Sequence, residues 1–239
     1  MLEYGEQMFI YSGMSIPPSP AVKPQQRQDW QSLQKEVRTL FPGAFPDPPT
    51  CHGTGYFGWD ADLHGGWREG VLQECLVDSG NAGLGLWLDQ LWQTVAEEGQ
   101  FGAYLDGAST WDVATVPESV RSRVLWVRPP RIDQMISAAE VVVRDGHFKW
   151  VLMDFLGASP KAKRRFPSSQ WYRLQRLAQR TRTILIVLAR TTIIPGSHRR
   201  FILEGPVFTL RDQDTPRADL WPRLRWRVWS GEEEVVACG

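Results

Sequence analysis

The stretch Cys75–Gly85, CLVDSGNAGLG, carries an apolar strand-like run into a glycine-rich turn and on into a helix-like run of Leu and Trp. A turn of this place and size is where a phosphate-binding loop stands. That loop, G-x-x-x-x-G-K-[ST], needs backbone N–H groups to cradle the phosphates, a lysine for the β/γ charge and a hydroxyl to hold magnesium. In the matching register, DSGNAGLG, the first glycine is Asp78, the second is kept as Gly83, the lysine is Leu84 and the Ser/Thr is Gly85. A carboxylate at Asp78 would also repel phosphate. On its own the stretch reads equally well as a tight turn, because glycine tolerates positive φ.

Working outward from that turn, apolar runs alternate with amphipathic ones. Strands are expected at 71–77 (VLQECLV), 101–106, 124–127, 148–154 (FKWVLMD) and 183–189 (TILIVLA), and helices at 84–98, near 132–144 and near 168–180. Apolar strands separated by helices predict an α/β fold, a mostly parallel twisted sheet with helices on both faces. The last fifty or so residues, with RFILEGPVFTL and RLRWRVWSGEEEVVA, alternate polar with apolar residues, as antiparallel strands at the C-terminal edge of a sheet do. In RLRWRVW, Arg223, Arg225 and Arg227 share one face and Leu224, Trp226 and Val228 the other, the pattern of an amphipathic edge strand. Trp87 and Trp92 lie among Leu84, Leu88, Leu91 and Val95 at helical spacing and read as core.

The N-terminal end is different. Residues 1–28 read as a flexible tail, rich in Pro, Ser and Gln from Ser12 onward. Residues 29–49 read as a helix, DWQSLQKEVRTLF, followed by a Pro-rich connector, and 50–239 as the core domain. Trp30, Leu33, Val37 and Phe41 line one stripe of that helix, which either folds onto its own core or contacts a partner.

Composition excludes several classes. Three cysteines, Cys51, Cys75 and Cys238, form no CxxC pair and suit a reducing cytosol. His52, His64, His147 and His198 have neither HxxxH nor HExxH spacing, so no metal site is expected. No G-x-S-x-G is present for a nucleophilic serine. No apolar run approaches the ~18 residues of a membrane span, and a cytoplasmic protein is expected. Lys plus Arg and Asp plus Glu balance at 27 each, yet no acid occurs from Phe155 to Leu203, where eleven Lys and Arg gather. That leaves sixteen cations against twenty-seven acids elsewhere. Such a block attracts phosphates by counterion release or docks on an acidic protein.

Longer phrases carry a resemblance. DADLHGGWREGVLQE before the turn, and VLWVRPPRIDQMISAAEVVVRDGHFKWVLMD after it, resemble the ImuA family of RecA-like proteins, which is related to the SulA cell-division inhibitors; the similarity spans about Gly53 to Trp229. The resemblance implies a RecA-like core. Carried over residue by residue, it places the Walker B acid at Asp154, puts Asp106 at the preceding strand-end acid, and leaves Ala108 where the general-base glutamate stands and Ala189 near the nucleotide-sensing glutamine. Without lysine, hydroxyl, base or sensor, the oriented charges that drive phosphoryl transfer are gone, so no catalysis and no cofactor is expected.

What the resemblance implies instead is an accessory role in DNA-damage-induced mutagenesis. Its partners would be RecA, a Y-family polymerase-like protein of the ImuB type, a DnaE-type polymerase and single-stranded DNA. The DNA-facing loops would then hold Lys161, Lys163, Arg164 and Arg165, and Arg199 and Arg200, and the N-terminal helix would contact a protein partner. The relation to SulA implies the alternative, an inhibitor that binds the division protein FtsZ.

Overall fold

The computed structural model describes residues 32–33, 36–37, 39–40, 50–63, 65–77, 83–109, 111–158, 166–196, 199–205, 212, 214–229 and 234–236. The chain divides into two units, Met1–Pro48 and Pro49–Gly239. In the first, Ser32, Leu33, Glu36, Val37, Thr39 and Leu40 are helical, with Leu33 and Leu40 exposed. Trp30 and Phe41, which complete the expected stripe, lie outside the described residues.

The second unit opens with a short ribbon, β1 (Cys51–His52) antiparallel to β2 (Trp67–Arg68), closed around the helix α1 (Phe57–Asp62). An eight-stranded sheet follows. In chain order its elements are β3 (Leu72–Val77), α2 (Leu84–Glu97), β4 (Gly102–Asp106), α3 (Glu118–Arg121), β5 (Val124–Val127), α4 (Met135–Asp145), β6 (Trp150–Asp154), α5 (Ser168–Thr181), β7 (Ile184–Ala189), β8 (Arg200–Glu204), α6 (Arg217–Leu220), β9 (Arg225–Trp229) and β10 (Glu234–Val236). Across the sheet the order is β10-β9-β8-β3-β7-β6-β4-β5. The six strands from β8 to β5 are parallel, and β9 and β10 add antiparallel pairs at one edge.

Burial follows from this order. Strands β3, β4, β6 and β7 are buried along their whole length, as parallel strands covered on both faces must be. One face packs against α2 and the tryptophan-rich segment after β1. Leu84, Trp87, Leu88, Leu91, Trp92 and Val95 recur at 3.6-residue spacing, and Gly99 (φ 68°) ends the helix in a left-handed turn. Trp226 stacks on Trp59 at 4.1 Å between ring centroids and on Phe201 at 5.3 Å. Among the described residues the indole N–H groups of Trp67, Trp92 and Trp226 meet no acceptor, so this wall is held by apolar area, about 1.5–3 kcal/mol per large side chain, rather than by polar pairing. The opposite face packs against α4 and α5 through residues that include Ile136, Ala139, Val143, Trp171, Leu174 and Ala178.

Two expectations change. The strand in RFILEGPVFTL, expected to be antiparallel, runs parallel to β3 as β8 and is antiparallel only to β9. Alternating burial along Arg200–Glu204 reports which side chains face the core, not which way the chain runs; direction is set by the crossing from the end of β7 to the far side of β3. RLRWRVW keeps its two faces, with Leu224 and Trp226 buried, but β9 is an inner strand and β10 is the edge.

Candidate functional site

At the carboxyl ends of the parallel strands, β3 stops at Val77 and α2 begins at Leu84. Asp78 lies outside the described residues. Gly83 caps α2 without a side-chain hydrogen bond, and its carbonyl accepts from Trp87 N at 2.9 Å. Leu84, at the lysine position, packs against the core on the α2 face. Gly85, the residue expected at the hydroxyl position, is exposed, and among the described residues a Cβ there would meet nothing within 4 Å.

Beside this turn, Asp106 and Asp154 stand opposite each other on β4 and β6. The registers place them in one row with Phe201, Cys75 and Leu188, so their side chains are on the α2 face. Both are buried. Asp154 accepts from Tyr104 Oη at 2.8 Å through Oδ2 and from Leu156 N at 2.7 Å through Oδ1. Asp106 accepts from Ala108 N at 3.3 Å and Trp126 Nε1 at 3.2 Å, and Arg128 Nε comes within 3.8 Å. Ala108, at the general-base position, carries no acid. Cys75, in the same row, is no nucleophile, because burial, with the Glu74 charge next to it, pushes its thiol up to about 12.

The amino ends of the strands hold the densest charge cluster. Glu69 Oε1 meets His52 Nε2 at 2.8 Å and Lys149 Nζ at 2.5 Å, and its Oε2 accepts from Arg182 Nε at 2.8 Å. Burial alone would raise its pKa; hydrogen bonds from His52, Lys149 and Arg182 and the Lys149 charge win, and hold it at about 2. His52 also reaches Glu98 through Nδ1 at 2.9 Å. The partners of His52 thus come from 17 and 46 positions away in the chain. His64 and His198 lie outside the described residues, and His147 packs against Phe101.

The expected DNA-facing residues separate. Lys161, Lys163, Arg164 and Arg165 lie outside the described residues. Arg200 turns inward, donating from Nε to Glu74 Oε2 at 2.6 Å and from Nη2 to Ile194 O at 2.7 Å, with its guanidinium over Trp229. Arg199 donates from Nη2 to Leu63 O at 2.9 Å, and burial, with Arg68 nearby, lowers its pKa to about 10. Both guanidinium groups are committed to the interior. Three cations of the acid-free run are paired in space: Arg173 with Glu140 at 2.6 Å, Arg182 with Glu69 and Arg200 with Glu74.

Glu74 was not singled out by sequence, although it is the central polar lock. Its Oε1 also accepts from Ile193 N and Ile194 N at 2.6 and 3.1 Å. The signal was available: a charge inside VLQECLV requires a buried partner. Tyr104 gave no such signal.

Among the described residues no group of three or more His, Cys, Asp or Glu is placed to hold a metal ion, and no helix is long and apolar enough to cross a membrane. The sequence matches no model of a known protein family and finds no match among curated proteins.

Proposed function

We propose that this chain is a RecA-like accessory protein of DNA-damage-induced mutagenesis that works without ATP turnover, by binding RecA, a Y-family polymerase-like partner and single-stranded DNA. One observation carries the reading. The strand feeding the glycine-rich turn, β3, lies between the two last parallel strands, β7 and β8, and β7 separates it from β6, the strand that ends in Asp154. That order sets the glycine-rich turn and Asp154 at the same end of the sheet, where ligands of open α/β folds bind, as the resemblance to RecA-like proteins implies for the loop and the Walker B acid.

The chemistry of that end supports a binding role over a hydrolytic one. Leu84 offers no charge, Gly85 no hydroxyl and Ala108 no base, while Asp154 is spent on Tyr104 and a backbone amide. A RecA-like fold whose nucleotide end is closed in this way still keeps the outer surfaces through which such folds assemble.

The experiment is a pull-down with purified RecA, the polymerase-like protein and FtsZ, using the intact chain and one that begins at Pro46. Retention of RecA or the polymerase-like protein, reduced in the shortened chain, is the expected result. Retention of FtsZ alone would replace this reading with the division-inhibitor one.

A further inference from the structure

Helices α4 and α5 lie side by side on the outside of the sheet, and between them runs an open groove of about 510 Å³. Glu140 and Arg144 line it from α4, and Tyr172, Arg173, Arg176 and Arg180 from α5, over a floor that includes the buried Leu177. Among the described residues one of its four cations has a carboxylate partner: Arg173 pairs with Glu140. Among the described residues no carboxylate pairs with Arg144, Arg176 or Arg180. Tyr172 is 63% exposed, with the Arg176 guanidinium 5.8 Å from its ring centroid, and Val141, 70% exposed, stands beside Arg144 on α4.

We infer that this groove is the docking site for an acidic amphipathic helix of a partner protein. The spacing supports a helix. Arg173, Arg176 and Arg180 recur at i, i+3 and i+7, about 10 Å along α5, which matches carboxylates on successive turns of a helix laid along the groove. The residue types favour protein over nucleic acid. Every cation lining it is Arg and none is Lys, and the exposed Tyr172 and the buried Leu177 lie among them. That is the composition of protein interfaces, which are enriched in Arg and aromatics and depleted in Lys, whereas a phosphate track needs no apolar floor. The N-terminal segment DWQSLQKEVRTLF does not have the acidic composition such an occupant needs, because it balances Asp29 and Glu36 against Lys35 and Arg38. The inference rests on the groove alone and stands whether or not the RecA-like reading does.

The test uses the full chain and three fluorescent probes at low salt. The first is a designed helical peptide with Glu at i, i+3 and i+7 on one flank and Leu as its apolar stripe; the second has the same charges with Leu replaced by Ser; the third is a short oligo-dT. Fluorescence anisotropy should show the Leu peptide bound several-fold more tightly than the Ser peptide. Arg176→Glu with Arg180→Glu should weaken it about tenfold or more while leaving oligo-dT binding unchanged. Arg176→Ala with Arg180→Ala, which removes charge without reversing it, should weaken it in the same direction, and circular dichroism melts confirm that both variants fold. The proposal is overturned if the wild type does not bind the Leu peptide, if the Ser peptide binds equally well, or if oligo-dT binding falls in parallel with peptide binding.

Discussion

The two ends of the parallel sheet hold their carboxylates in opposite ways. At the amino ends, Glu69 is ringed by His52, Lys149 and Arg182. At the carboxyl ends, Asp154 is held by a tyrosine hydroxyl and a backbone amide, and Asp106 by an indole and a backbone amide, with Arg128 at the margin. Functional sites of open α/β folds belong to the carboxyl ends, so strong fields would be expected there. Here the strong field is at the other end, tying the β1–β2 ribbon to the starts of β6 and β7. The carboxyl-end acids act as hydrogen-bond acceptors that join neighbouring strands.

The comparison breaks most visibly if the ribbon is displaced. Gly66 has φ 100°, and a Cβ there would collide with the carbonyl oxygen of His52. Gly66→Ala combines backbone strain with a clash against main chain that cannot swing aside. It should cost about 3 kcal/mol, read as a lower urea midpoint, and should pull His52 away from Glu69 and Glu98. A midpoint equal to wild type would mean that the ribbon is not tied down.

The next effect is one of pH. Glu69 sits at about 2, below an ordinary value near 4.5, so on acidification the unfolded chain takes up the proton first. The stability it contributes is complete above about 4.5 and is lost as pH falls toward about 2. Because the Arg182 side chain is 61% exposed, solvent screening limits the contribution to about 1–2 kcal/mol. Glu69→Gln should lower stability at neutral pH by that amount and flatten the stability profile across this window. An unchanged profile would show that the cluster carries no net energy.

Much of this fold was legible in the sequence, for a physical reason. Central parallel strands are covered on both faces, so VLQECLV, FKWVLMD and TILIVLA had to be nearly continuous apolar runs, and the helices between them had to carry a stripe such as Leu84, Trp87, Leu88 and Leu91. Strand direction has no such signature, which is why β8 was expected in the wrong sense. The site was less legible, because its contacts join distant positions. Nothing near His52 in the chain points to Glu98, and Arg173, Arg182 and Arg200 look unpaired in the sequence because their acids, Glu140, Glu69 and Glu74, lie far before them in the chain. Arg199 and Arg200 resembled exposed cations, and it is the neighbouring Leu63 carbonyl and Glu74 that turn them inward.

The smallest predicted effect sharpens the comparison at the carboxyl ends. In a working Walker B strand the aspartate matters for its charge, because that charge helps position magnesium and developing phosphate charge is stabilised through the metal. In this chain Asp154 offers Oδ2 to Tyr104 Oη at 2.8 Å and Oδ1 to Leu156 N at 2.7 Å, two roles that need an acceptor more than an anion. Asparagine has one such acceptor, and its NH2 group can still meet the lone pair of the tyrosine oxygen once that hydroxyl rotates. Asp154→Asn should therefore cost no more than about 1 kcal/mol, the worth of one ordinary hydrogen bond, whereas Asp154→Ala, which takes the acceptor away from the buried Leu156 amide and from Tyr104 Oη, should cost about 2–4 kcal/mol. Melting curves of wild type and Asp154→Asn with and without millimolar magnesium-ATP complete the test, since a ligand that binds only the native state raises Tm by mass action. No shift in either protein is the expected result. A clear rise in the wild type that Asp154→Asn abolishes would mean that this carboxylate still serves a nucleotide, and the contrast between the two ends of the sheet would fail.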